Sequence, residues 1–86
     1  FLKALRNRMF NMLINLEILS INYNLIELIE IDAFEGLKKL KNLDISNNRI
    51  VLIDQFIWLH LENIETLSIM GNPMQIFNNN TFYGLK

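Results

Sequence analysis

The stretch Leu40-Lys41-Asn42-Leu43-Asp44-Ile45-Ser46-Asn47-Asn48-Arg49-Ile50 decides the fold. Its pattern stands again 24 residues earlier and 24 residues later. Leu16, Leu40 and Ile64 align, then Leu19, Leu43 and Leu67, then Ile21, Ile45 and Ile69, then Asn24, Asn48 and Asn72. Working outward, the register continues through Leu2, Ile26, Ile50 and Met74 and through Leu5, Ile29, Ile53 and Phe77. Phe10, Phe34, Trp58 and Phe82 form an aromatic column, and Leu13, Leu37, Leu61 and Leu85 close the unit. A fixed period of this length is the mark of a repeat architecture, in which each unit buries its apolar side only against its neighbours.

Within the unit, Leu43 and Ile45 alternate with Asn42, Asp44 and Ser46, which predicts a short strand buried on one face. Strands one period apart then pair in parallel at about 4.8 Å. The return path brings Ile29, Phe34 and Leu37 back to the core, and a short turn of helix is expected there with Asp32 as N-cap. An amphipathic helix through Leu37, Leu40 and Leu43 is the competing reading. It breaks at Ser46-Asn47-Asn48, which are poor helix residues, and it leaves the asparagine column unexplained.

The unit Leu-x-x-Leu-x-Leu-x-x-Asn-x-Leu, followed by Phe34-Glu35-Gly36-Leu37 and Phe82-Tyr83-Gly84-Leu85, resembles the leucine-rich repeat of the 24-residue typical subclass. Phe10-Asn11-Met12-Leu13 and Trp58-Leu59-His60-Leu61 match that turn without its glycine. The resemblance implies an α/β solenoid: a right-handed coil with a short-stranded parallel sheet on its concave face. It also implies the company of Toll-like receptor ectodomains, adhesion and neuronal receptors and insect immune proteins, which are mostly extracellular glycoproteins. A cytoplasmic scaffold with the same fold is the alternative. The phase divides the chain into a half repeat 1–15 and repeats 16–39, 40–63 and 64–86. Neither end has the polar face of a capping unit, so the chain is expected to be an internal fragment without caps. Gly71-Asn72-Pro73 resembles the sequence that often closes such arrays, but Phe77, Phe82 and Leu85 carry the pattern beyond it.

A net charge of −1 makes no case for nucleic acid or an anionic membrane. No uninterrupted apolar run is long enough to span a bilayer. With no cysteine and a single histidine, His60, disulfide, zinc-thiolate and triad chemistry find no convergent residues, so neither catalysis nor a metal or other cofactor is expected. The glycines Gly36, Gly71 and Gly84 stand apart and form no phosphate loop.

Protein recognition is therefore the expected function, with a protein ligand or co-receptor on the concave face. The residues expected to meet it are Ser20, Asn22 and Tyr23, then Asn42, Asp44, Ser46 and Asn47, then Thr66, Ser68 and Met70. The same Asp-Ile-Ser-Asn-Asn is also a filler common to such units, and a spacer role with contacts only to flanking repeats stands beside the binding one. Asn24, Asn48 and Asn72 are assigned to structure, because an amide can satisfy turn backbone as both donor and acceptor. Asn79 opens the sequon Asn79-Asn80-Thr81, a candidate glycosylation site on the return path. Lys3, Arg6 and Arg8 precede Glu27, Glu30 and Asp32 by one period and are expected to pair with them. The apolar column Ala4, Leu28, Leu52 and Ile76, with Phe56 and Leu59 beside it, is expected to thicken the core, with a lateral contact site as the alternative.

Overall fold

The computed structural model describes residues 2–74. Its element order is β1 (Ala4–Leu5), β2 (Ile18–Ser20), β3 (Leu28–Ile29), β4 (Asn42–Asp44), a 3₁₀ helix (Gln55–His60) and β5 (Thr66–Ser68). All strand pairs are parallel. β2, β4 and β5 form a three-stranded sheet in that order, and β1 and β3 form a second, two-stranded one.

The period sets the register of the larger sheet. Leu19, Leu43 and Leu67 lie side by side, as do Ser20, Asp44 and Ser68. At the start of each strand one carbonyl serves two donors: Glu17 O accepts from Lys41 N and Asn42 N, and Lys41 O accepts from Glu65 N and Thr66 N. Pairing continues past the strands through Ile21 N to Asp44 O and Ile45 N to Ser68 O.

The core lies behind this sheet. In the middle unit Leu40, Leu43, Ile45 and Ile50 are all buried. Their first- and third-unit counterparts Leu16, Leu19, Ile21, Ile64, Leu67 and Ile69 are only half-buried. The difference follows from stacking, since only the middle unit has a described neighbour on both sides. Leu13 shows the same effect: it is 44% exposed, while Leu37 in its column is fully buried. Phe10, Phe34 and Trp58 stack in sequence, with ring centroids 6.5 Å apart at each step.

The return path departs from expectation in three ways. First, it carries a second sheet. Leu5 pairs with Ile29, and Leu25, Glu27 and Glu30 donate to Leu2, Lys3 and Leu5 carbonyls. In the next interval Arg49 N still reaches Ile26 O, but no equivalent bond joins residues 51–54 to β3 among the described residues. Second, the helical turn belongs to the middle unit. Asp54, not Asp32, is the N-cap, accepting from Phe56 N at 2.9 Å. Helix N-caps favour Asp because its side chain satisfies an otherwise orphaned N–H. The segment after Glu30 instead makes successive turns, Ala33 N to Glu30 O and Glu35 N to Asp32 O. The described helix is 3₁₀, so the α part of the expected α/β class is not seen among these residues. Third, the charges pair differently. Arg6 meets Glu30 at 3.8 Å as the column suggests, but Arg8 reaches Glu35 at 2.9 Å. Asp32 is taken by His60, 2.9 Å away across 28 residues. The long arginine side chain reaches beyond its own column, which a count of 24 cannot foresee.

Gly36 is held by geometry. Its φ is +96°, and a Cβ there would lie 2.5 Å from the Asn11 carbonyl oxygen, a backbone atom of the preceding unit. Gly71 has φ +78°, but its added Cβ would meet the Asn47 side chain, which can move. Gly36→Ala is expected to cost about 2 kcal/mol or more, from left-handed backbone plus overpacking against fixed backbone, and Gly71→Ala about 1 kcal/mol. Urea unfolding of the two variants checks the order, and a larger loss at Gly71 would contradict this account of the turn.

Candidate partner-binding face and the asparagine ladder

Behind the sheet face runs a ladder of side-chain amides. Asn48 Oδ1 accepts from the backbone N–H of Asn24 and of Ile26, at 3.1 and 3.2 Å. Asn48 Nδ2 donates to the carbonyls of Ile21, Ile45 and Ser46 at 3.0–3.2 Å. One rung on, Asn72 Oδ1 accepts from Asn48 N and Ile50 N, and its Nδ2 donates to Ile45 and Ile69 carbonyls. One rung back, Asn24 Oδ1 accepts from Leu2 N and its Nδ2 donates to Ile21 and Asn22 carbonyls. Each amide thus ties the turn of its own unit to the unit before. The backbone groups just past each strand find partners inside the protein, and among the described residues no buried side-chain nitrogen or oxygen is left without one.

With the backbone satisfied from within, the side chains on the other face of the sheet are available. Strand register brings Ser20, Asp44 and Ser68 into one row and Asn42 and Thr66 into another, with Ile18 beside Asn42. Ser20, Tyr23, Asn42, Asn47, Thr66 and Met70 are exposed, and Asn22, Asp44 and Ser68 half-exposed. Ser20 Oγ donates to Asn22 Oδ1. Ser46 is the exception: it is 8% exposed, and both its N–H and its Oγ–H bond Asp44 Oδ1, at 3.0 and 2.6 Å. Strand alternation ends before Ser46, and the local turn folds its short hydroxyl inward onto Asp44. Ser46 therefore shapes the face and does not present itself on it. Asn79 lies outside the described residues, as do Ile76, Phe77, Phe82 and Leu85.

Rows one period apart now carry a family name as well. A family model described as leucine rich repeat matches residues 1–50 and again residues 38–86. The chain belongs to the leucine-rich repeat family. A relative, leucine-rich repeat-containing G-protein coupled receptor 5 of Rattus norvegicus, is 31% identical over 68 residues, which is 79% of this chain. The chain spans 7% of that receptor's length.

One feature of these leucine-rich repeats had no place in the sequence reading, and a second departs from it. Tyr23, Asn47 and Gly71 share one column and all have left-handed backbone, with φ of 55°, 55° and 78°. The Asn and Gly at one phase of the period were a usable signal, since both are favoured there. Tyrosine is not, and a non-glycine residue in this conformation costs about 1–2 kcal/mol. The second feature is the apolar column. Leu28 and Leu52 are exposed, Leu52 by 67%, and Phe56 and Leu59 stand about half out of the surface. Leu28 and Leu52 therefore do not thicken the core as expected. β3 alternates Leu28 outward with Ile29 inward, and Leu52 and Ile53 divide in the same way. Among the described residues no group of three or more His, Asp or Glu is placed to hold a metal ion, and no helix is long and apolar enough to cross a membrane.

Asn48→Ala leaves two backbone N–H groups without an acceptor and is expected to cost about 2 kcal/mol or more. Asn47→Gly keeps the left-handed turn and is expected to stay within about 0.5 kcal/mol of the parent. Equal losses in urea unfolding would refute the assignment of the ladder to Asn48.

Proposed function

We propose that this chain is a protein-recognition segment of an extracellular or cell-surface leucine-rich-repeat ectodomain, and that it holds its partner on the sheet face. The observation that carries the reading is the separation of tasks across the sheet. The amide ladder consumes the backbone groups behind it, while Ser20, Asn42 and Thr66 stand exposed in front. Small polar side chains let another protein approach closely and offer it hydrogen bonds. In the full array the sheet is the concave side of a right-handed solenoid. Stacked rings 6.5 Å apart on the return path, against strands about 4.8 Å apart, supply the wedge that bends it. The receptor named among the relatives supports a cell-surface setting. Binding is non-covalent and uses no cofactor. The half repeat 1–15 and the repeats 16–39, 40–63 and 64–86 are the units of that array.

The exposed column Leu28 and Leu52, with Phe56 and Leu59, favours a second reading in which a lateral surface makes the contact. Contiguous exposed apolar side chains mark interaction sites on soluble proteins.

A photo-crosslinking side chain in the full-length protein on cells separates the two. Placed at Asn42 it is expected to capture a protein partner, and placed at Leu52 to capture little. Adducts confined to Leu52 would move the site to the lateral surface, and none at either position would overturn recognition by this segment.

A further inference from the structure

Tyr23 occupies a position where the fold gains nothing from tyrosine. Its column requires left-handed backbone, which Gly71 adopts freely and Asn47 readily. The one bond Tyr23 makes among the described residues is its backbone N–H to Ser46 O at 3.1 Å, which glycine would make equally well. Tyr23 is 68% exposed, and its ring has neither a hydrogen bond nor a ring contact among those residues. Strain kept at an exposed aromatic, with no return in packing, is the pattern of a recognition site, because aromatic anchors dominate binding energy.

The surroundings define what the ring would meet. Tyr23 is tied through Ser46 to Asp44, since Ser46 O accepts from Tyr23 and Ser46 donates twice to Asp44 Oδ1. The other Asp44 oxygen has no partner among the described residues, and Asp44 has no ion pair there. At the foot of the strands Lys41 pairs with Glu17 at 3.4 Å, and Lys39 and Glu65 line the same depression. Arg49 follows the ladder asparagine, is exposed, and sends its backbone N–H to Ile26. Glu17 and Glu65 are thus matched at the foot by Lys39 and Lys41, and within the three strands Asp44 is the one charged residue. Exposed Ile18 and Met70 add apolar surface on the same side.

We infer that Tyr23 is the anchor of this face and that the partner is a protein segment presenting arginine beside an aliphatic residue. The inference rests on the sheet-face reading above. A guanidinium stacks on an aromatic ring and also forks onto a carboxylate, so neighbouring arginines of one segment can use Tyr23 and Asp44 together. An acidic segment would meet the like charge of Asp44 and be disfavoured.

The test uses the full-length protein and two short capped peptides, one alternating arginine with photoreactive leucine and one with glutamate in place of arginine. The arginine peptide is expected to bind and to label residues near Tyr23 and Asp44, and the glutamate peptide to do neither. Tyr23→Gly is expected to weaken the arginine peptide about tenfold without lowering the urea midpoint, and Tyr23→Phe to keep affinity within about twofold, because the ring is retained. Unchanged affinity in Tyr23→Gly overturns the anchor, and equal binding of the glutamate peptide, or of neither peptide, overturns the partner chemistry. Labelling of the sheet face that ignores Tyr23 leaves the recognition reading standing. Labelling at Leu28 or Leu52 removes both.

Discussion

One side-chain amide per repeat holds the architecture together. A strand of three residues is too short to be stable by itself, and the turn that follows it leaves donors and acceptors pointing inward. Asparagine is short enough to fit under that turn, and its amide carries an acceptor and two donors on one plane. Asn48 uses both ends: its oxygen takes two N–H groups of the preceding unit and its nitrogen serves three carbonyls. Aspartate would lack the donors and glutamine would need more room. Once this contact is fixed, the distance between neighbouring turns is fixed, and the apolar columns have to follow the same period.

The ladder also decides which surfaces remain free. Behind it, leucines and isoleucines interdigitate from unit to unit. In front of it, side chains need not satisfy the backbone, so their identity can vary without loss of the fold. The return path is constrained differently. There the aromatic stack and Gly36 set a close approach between the half repeat 1–15 and the repeat 16–39. Between the repeats 16–39 and 40–63, a capped 3₁₀ helix takes over, with His60 standing where Gly36 stood. Freed from the left-handed turn, that position can carry a side chain, and the imidazole reaches back to Asp32.

Legibility followed the same division. The sheet and its register could be read from Leu40 to Ile50, because the core columns and the asparagine recur with constant chemistry. The ladder was legible in kind: an amide after a buried strand has few places to go. The return path was not. Asp32 and Asp54 both follow apolar residues, and composition does not say which turn closes into a helix. Ser46 lies one residue beyond the reach of strand alternation, where a hydrogen bond to Asp44 overrides it. The exposed Leu28 and Leu52 mislead because apolar residues are ordinarily counted inward, whereas the two-residue β3 places one of each pair outside. Tyr23 could be found only by setting its column beside Asn47 and Gly71.

The aromatic column carries an optical consequence. Trp58 is the single tryptophan of the chain, is fully buried and stacks on Phe34 at an interplanar angle of 16°. Its emission therefore reports on the packing of the repeat 40–63 against the repeat 16–39. A shift of that emission toward longer wavelength reports water reaching Trp58. The molecule carries a built-in gauge of whether adjacent repeats are docked, independent of events on the sheet face, where Tyr23 rather than tryptophan meets the solvent.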